Sequence, residues 1–244
     1  MKTILITGGA NGIGRAIVEK YVNNYNVVLI DKDSQKVNEL KCKYKNIDCY
    51  IETITNYENI KEIIDKIYNK YKNIDILINN AGIQTIETIS KLKLEEWKKI
   101  IEVNLTANFY LTQIVSNRMN SGSTILNISS THYNKPRIDH AHYDISKSGI
   151  TTLTKLFALE LAHKNVTINA LAIGATYTNM NYSFKTDKNT ESIAKNKIPL
   201  KHICNPNEVA DYVYNIIKDF SAATTGSVFV VDGGRNLTWI KYIK

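Results

Sequence analysis

Apolar residues in this chain gather in short unbroken runs, and the stretches between them carry apolar positions at helical spacing. ILI at 4–6, VVLI at 27–30, DILI at 75–78, TILNI at 124–128, VTINALAI at 166–173 and SVFVV at 227–231 are nearly continuous rather than alternating. A strand covered on both faces has that pattern, because neither side of the pleat meets water. Strands are predicted near 2–7, 26–30, 47–51, 74–78, 123–129, 165–171 and 226–231. Helices are predicted over 12–24, 33–45, 56–72, 94–117, 142–163 and 206–219. Their alternation predicts an α/β fold: a doubly wound parallel sheet of about seven strands with helices on both faces. One domain accounts for all 244 residues, with no repeat, low-complexity tract or linker. The exception is 175–200, a polar stretch with no clear element that follows a strand's carboxyl end, where α/β proteins bind ligands.

The first strand runs straight into GGANGIG and then a helix, so Gly8, Gly12 and Gly14 occupy a strand-to-helix turn. Missing side chains let the backbone approach a pyrophosphate, and the helix N-terminus offers free N–H groups and a positive dipole end. The second strand ends in Asp31, a carboxylate placed to accept hydrogen bonds from an adenosine ribose diol. Together these features predict a Rossmann-type dinucleotide site.

Tyr143 and Lys147 stand four residues apart in HYDISKSG, with Ser130 thirteen positions upstream. Positions i and i+4 share a helix face, which sets an ammonium group beside a phenol. A free tyrosine, with a pKa of about 10, is a sluggish proton carrier near neutrality. A neighbouring cation favours the phenolate and is expected to draw that pKa down toward the range of an acid–base catalyst. Ser130 is placed to hold a substrate oxygen by hydrogen bond.

Composition narrows the classes. Cys42, Cys49 and Cys204 are scattered, with neither zinc spacing nor a disulfide framework, and read as reduced thiols of a cytoplasmic protein. No apolar run approaches a membrane span, and the first strand begins at residue 2, which leaves no room for a signal peptide. The formal charge is +8, but the lysines are spread along probable helices beside acids. That distribution fits solvated helix faces and not a nucleic-acid groove. His140 and His142 form an HxH with no further ligand identifiable by spacing, so no metal is expected.

TGGANGIG at 7–14, NNAG at 79–82, Asn104 in VNLT, NISS at 127–130, YDISK at 143–147 and VDGG at 231–234 occur in that order. On these motifs the chain resembles the short-chain dehydrogenase/reductase family from Lys2 to about Leu237. The resemblance implies NAD(P)-dependent oxidation of an alcohol or reduction of a carbonyl. It implies that Tyr143 exchanges a proton with the substrate oxygen, that Lys147 lowers the tyrosine pKa and bonds the nicotinamide ribose, and that Ser130, rather than Ser129, orients the substrate. Asn104 matches the asparagine that holds a relay water. The cofactor would be held by Gly8, Asn11, Gly12, Ile13 and Gly14 at the turn, and by Asp31 and Lys32 after the second strand. Thr53 and Ile54 would lie near the adenine, Asn80, Ala81 and Gly82 near the ribose, and Gly174, Thr176 and Thr178 at the nicotinamide end. Two departures stand out: Ile173-Gly174 replaces the usual Pro-Gly, and Thr53-Ile54 replaces Asp-Val. The family also implies that 175–200 folds over the substrate as a lid. A homotetramer or dimer would pair through the helices at 94–117 and 142–163.

Asp31 would repel the extra phosphate of NADP, so NAD is expected. Lys32 and Arg15 keep NADP as the alternative, since they are placed to neutralise part of a phosphate. The substrate is a small carbonyl or alcohol. His132, Lys135, Arg137 and His140, between Ser130 and Tyr143, make an anionic group on it one reading and solvent-facing loop charges the other. Within enzymes, a secondary-alcohol dehydrogenase, an NADP-dependent 3-oxoacyl-carrier reductase and a biosynthetic tailoring ketoreductase stay open. The alternative of another class is a non-catalytic dinucleotide-binding sensor or scaffold.

Overall fold

The computed structural model describes residues 1–219 and 223–238. Seven parallel strands form one sheet: β1 (Thr3–Thr7), β2 (Asn26–Asp31), β3 (Ile47–Ile51), β4 (Ile76–Asn79), β5 (Thr124–Ser130), β6 (Thr167–Ile173) and β7 (Val228–Val231). Their order is β3-β2-β1-β4-β5-β6-β7. The chain builds outward from β1 to β3, then crosses to β4 on β1's other side. Connections therefore diverge between β1 and β4 and open a crevice above their carboxyl ends. Register carries the later chemistry to that edge, with Asn79 opposite Asn127, Ser130 opposite Ile173, and Ile173 opposite Val231.

The unbroken apolar runs are explained by two cores. Ile4, Ile6, Val27, Leu29, Ile76 and Ile78 point into one, packed under α1 (Gly12–Tyr21), α2 (Ser34–Lys43) and α9 (Pro206–Asp219). The intervening Leu5, Val28, Ile30 and Leu77 point into the other, under α3 (Tyr57–Tyr71), α5 (Ala107–Ser116) and α6 (Ala141–Leu161). α3 shows the local logic. Asn56 caps it by accepting from Asn59 N, Ile60, Ile63, Ile64 and Ile67 line one buried face, and Lys72 ends it at φ 65°.

Two stretches differ from the expectation. The helix predicted over 94–117 runs as α4 (Leu94–Ile101), a wide turn of π-helix at Glu102–Thr106, and α5. An extra residue in that turn rotates Asn104 inward, where it is 1% exposed. The stretch 175–200 is not irregular: single turns at Asn179–Asn181 and α7 (Ser183–Thr186) precede α8 (Lys188–Asn196). Asp187 caps α8 through the N–H groups of Asn189 and Thr190, and Tyr177 hydrogen-bonds Glu191 across it. No helix among the described residues is long and apolar enough to cross a membrane.

Candidate active site

Above the crevice lies a cleft of about 530 Å³. Its floor is the glycine turn. Gly8 adopts φ +63°, and a Cβ there would lie 2.9 Å from Ala81 Cα; at Gly14 it would lie 2.0 Å from the Gly8 carbonyl oxygen. Only glycine lets α1 approach β1 this closely. Asn11 precedes α1 without capping it, because its amide donates to Asp33 at 3.0 Å. The first-turn N–H groups of α1 thus have no side-chain cap, a cradle that suits a pyrophosphate.

Thr7, which the sequence reading passed over, organises this floor: its hydroxyl oxygen accepts from Asn80 N and Ala81 N, both at 3.1 Å. Asn80 and Ala81, expected at the adenosine ribose and a sheet-stabilising turn, line the cleft; the Asn80 amide donates to the carbonyls of Thr7 and Gly8 at 3.0 Å each, tying β1 to the loop after β4. Asp31 accepts from Ala10 N at 2.9 Å and Asp33 N at 3.0 Å, and still lines the cleft with Lys32, Asp33, Glu52, Thr53 and Ile54. The nearby cations Arg15 and Lys36 are both paired with Glu39.

The opposite wall carries the trio. Ser130 ends β5, and Tyr143 and Lys147 share the inner face of α6, 7%, 7% and 5% exposed. Ser129 instead turns its hydroxyl to the Lys147 carbonyl at 3.2 Å, which leaves Ser130 as the serine facing the phenol. Lys147 Nζ lies 5.7 Å from the Tyr143 ring centre and donates to the Ile128 carbonyl at 3.0 Å. Lys147 was expected to lower the phenol's pKa, and burial acts in the opposite direction. Burial pushes Tyr143 up to about 12, with a hydrogen bond from Ser130 pulling it part of the way back. Burial likewise pushes Lys147 down to about 8. In a low-dielectric wall both groups resist charge.

Asn104 sits behind this pair. It was expected to hold a relay water; its side chain is fixed in place, Oδ1 accepting from Ile83 N at 2.8 Å and Nδ2 donating to Ile83 O at 2.9 Å and Ser146 Oγ at 3.0 Å. A Cβ on Gly82 would lie 3.4 Å from Asn104 Oδ1 and 3.5 Å from Lys147 Nζ, so glycine keeps that gap open. Asp144 is a member the sequence reading missed. It is 4% exposed and accepts from His132 Nδ1 at 2.5 Å and Arg137 N at 2.6 Å, fixing the loop over Tyr143. Its only sequence signal was an acid beside the tyrosine.

Gly174, Thr176 and Thr178 follow β6 along the same cleft. A Cβ on Gly174 would press Asp232 Cα at 2.9 Å, and Gly174 N donates to Val231 O, so β7 braces the bend without the family's proline. Thr178 reaches back to the glycine turn, its methyl 3.5 Å from where a Gly12 Cβ would stand.

The comparisons agree with this geometry. The family model described as Enoyl-(Acyl carrier protein) reductase matches residues 8–236. The 3-oxoacyl-(acyl-carrier-protein) reductase FabG of Thermotoga maritima is 34% identical over 96% of this chain and 97% of its own. Glucose 1-dehydrogenase 2 of Bacillus subtilis is 30% identical over 97% and 95%. The structure of ElxO with NADP bound superposes with a TM-score of 0.91 at 28% identity, covering 97% and 99%. The chain belongs to the short-chain dehydrogenase/reductase family. It is an oxidoreductase acting on alcohol or carbonyl groups with a nicotinamide cofactor.

The polar loop of this short-chain dehydrogenase/reductase is largely tied down. Of the four groups read either as meeting an anion or as solvent-facing charges, His132 is bonded to Asp144, His140 to the Ile138 carbonyl at 2.7 Å, and Lys135 to the Arg235 and Thr238 carbonyls. Arg137 alone has no side-chain partner among the described residues, and the structure adds Lys197 and Arg235 to its end of the cleft. His142 is fully buried on Thr85 Oγ1 at 2.6 Å, apart from His140. Among the described residues, His202, Cys204 and Glu208 gather three potential ligand atoms within 4.8 Å, with His202 paired to Glu208 at 2.9 Å.

Proposed function

We propose that this enzyme reduces a ketone to the secondary alcohol, Tyr143 passing its phenolic proton to the carbonyl oxygen. The observation that carries this reading is a buried phenol, with Ser130 beside it and Lys147 one helical turn along, in the wall of the cleft that begins at the glycine turn. A bound nicotinamide dinucleotide supplies the hydride. The uncapped start of α1, with Gly8, Gly12, Ile13 and Gly14, holds its pyrophosphate, and Ala81, Gly82, Thr176 and Thr178 flank its path. Ser130 orients the substrate oxygen. Lys147 sets positive charge where oxyanion character develops and donates to a ribose hydroxyl. Asn104 positions Gly82 and Ile83 beside that lysine. The relatives named above include a 3-oxoacyl reductase, whose name describes reduction of a ketone, and this supports the reading. Turnover measured by nicotinamide absorbance tests the reading. Tyr143→Phe should lose about 10²- to 10⁴-fold in kcat/KM while dinucleotide affinity stays within about twofold. In wild type, reduction should stay nearly flat below pH ~8 and fall above it as Lys147 loses its charge, while oxidation gains from the growing phenolate fraction as pH rises. Full activity in Tyr143→Phe would remove the proposal.

NAD fits the adenosine end better, because Asp31, Asp33 and Glu52 oppose a second phosphate there. The NADP bound in ElxO favours the second reading, in which Lys32 meets the 2′-phosphate. Asp31→Ala should improve kcat/KM with NADPH by about tenfold relative to NADH; a wild-type enzyme that already prefers NADPH selects the second reading. The segment 175–200 acts as the lid over the substrate. Unpaired Cys42, Cys49 and Cys204 support a cytoplasmic setting. Exposed Ile145, Leu156 and Leu159 on α6, with Phe109 on α5, support a homodimer or tetramer through those helices.

A further inference from the structure

Charge in the cleft is polarised. Its acidic lining residues, Asp31, Asp33 and Glu52, all follow β2 and β3, whereas Lys135, Arg137, Lys197 and Arg235 come from loops beyond β5, α8 and β7. Three of these cations are held together by the fold. Arg235 Nη1 donates to the Lys197 carbonyl at 3.0 Å, and Lys135, by bonding the Arg235 and Thr238 carbonyls, fastens the Arg137 loop to the turn that carries Arg235. Their proximity is costly: burial and the Arg137 charge both hold Lys197 and Arg235 below their ordinary values. No carboxylate is ion-paired with Arg137, Lys197 or Arg235 among the described residues. Asp232 acts on Arg235 from a distance, its oxygens accepting from Gly234 N and Asn236 N, and Asp144 accepts from His132 and Arg137 N. The Asn236 side chain lines the same wall with a buried, unpartnered Oδ1.

A cluster of three like charges faces the substrate end of a reductase cleft with no ion-paired carboxylate among the described residues. We propose that the substrate carries an oxyanion, a carboxylate or phosphate, which Arg137, Lys197 and Arg235 bind while its carbonyl meets Ser130 and Tyr143. This rests on the ketone-reduction reading for where the carbonyl sits. Lys135 acts as a positioning residue for Arg235. Guanidinium groups suit this task, since each offers two parallel donors to a planar or tetrahedral oxyanion.

The test compares oxo-acids with one to four methylenes between ketone and carboxylate against their methyl esters, and dihydroxyacetone phosphate against dihydroxyacetone. Each pair is measured with the full chain and whichever dinucleotide it turns over. Wild type should favour the anion in at least one set by about tenfold or more in kcat/KM. The set in which it does so tells carboxylate from phosphate. Arg137→Gln, Lys197→Gln and Arg235→Gln should each cut that anion-to-neutral ratio by about five- to tenfold. Equal use of anion and neutral partner in both sets overturns the proposal, as does a preference that survives in all three variants, which would mark the cations as solvated charges. Calorimetry with the same anions separates this from failure of the reductase reading. Binding that weakens about tenfold in Arg235→Gln supports the subsite even where nothing is turned over, and no binding by wild type ends it.

Discussion

Lys147 is a buried cation whose ammonium meets one backbone carbonyl, and burial pushes its pKa down to about 8. The fall from 10.5 to about 8 corresponds to roughly 3 kcal/mol of disfavoured charge. Between those two values the unfolded chain binds the proton more readily than the folded one, so this group makes stability rise with pH from about 8 to 10.5. Below pH 8 both states are protonated and the cost is carried in full. Lys147→Met removes the charge at similar volume and loses one hydrogen bond worth about 1 kcal/mol. It should raise Tm near pH 7 by about 6 °C, lose most turnover, and show a stability gain that shrinks toward pH 10. Calorimetric scans at pH 6.5, 8 and 10 check the sign; a lower Tm in the variant at all three would contradict it. Tyr143 and Lys147 were legible in the sequence because one helical turn fixes which side chains share a face, and Ser130 on β5 followed from the family resemblance. Their pKa values were not, since burial is a property of what packs around them.

The wide turn at Glu102–Thr106 shows what an element hides from its sequence. Leu94–Ser116 has the apolar spacing of one helix, and nothing in VNLT announces an extra residue in the turn. Only the Ile83 backbone and Ser146, from β4's loop and α6, give Asn104 a reason to swing inward. Asn104→Leu fills similar space but strands those partners, and should cost about 2–3 kcal/mol in urea unfolding with a drop in kcat larger than any change in KM. Unchanged stability would mean that Ile83 finds water instead. α8 was missed for the opposite reason. Its signals were present, an Asp187 cap and a Glu191–Lys195 pair at i,i+4, but its buried residues are too few to make an apolar stripe.

At the scale of the molecule, α6 gives its inner face to the site and leaves Ile145, Leu156 and Leu159 in water, Leu159 being 78% exposed. With Phe109 of α5, that stripe is the surface proposed for self-association. Leu159→Glu should shift the mass measured by light scattering from oligomer toward monomer, with secondary structure retained; an unaltered mass would place the interface elsewhere. The sequence by itself determined the parallel sheet, the glycine turn and the proton-exchanging trio, because each follows from contacts within a few residues or from a pattern repeated along the chain. It did not determine that the Asn80 amide ties β1 to the loop after β4, that three of the four polar loop groups are already bonded, or that Lys197 and Arg235 join Arg137. Those outcomes depend on which distant segments meet above the sheet, and the distance between residues 137, 197 and 235 is set by folding, not by their order in the chain.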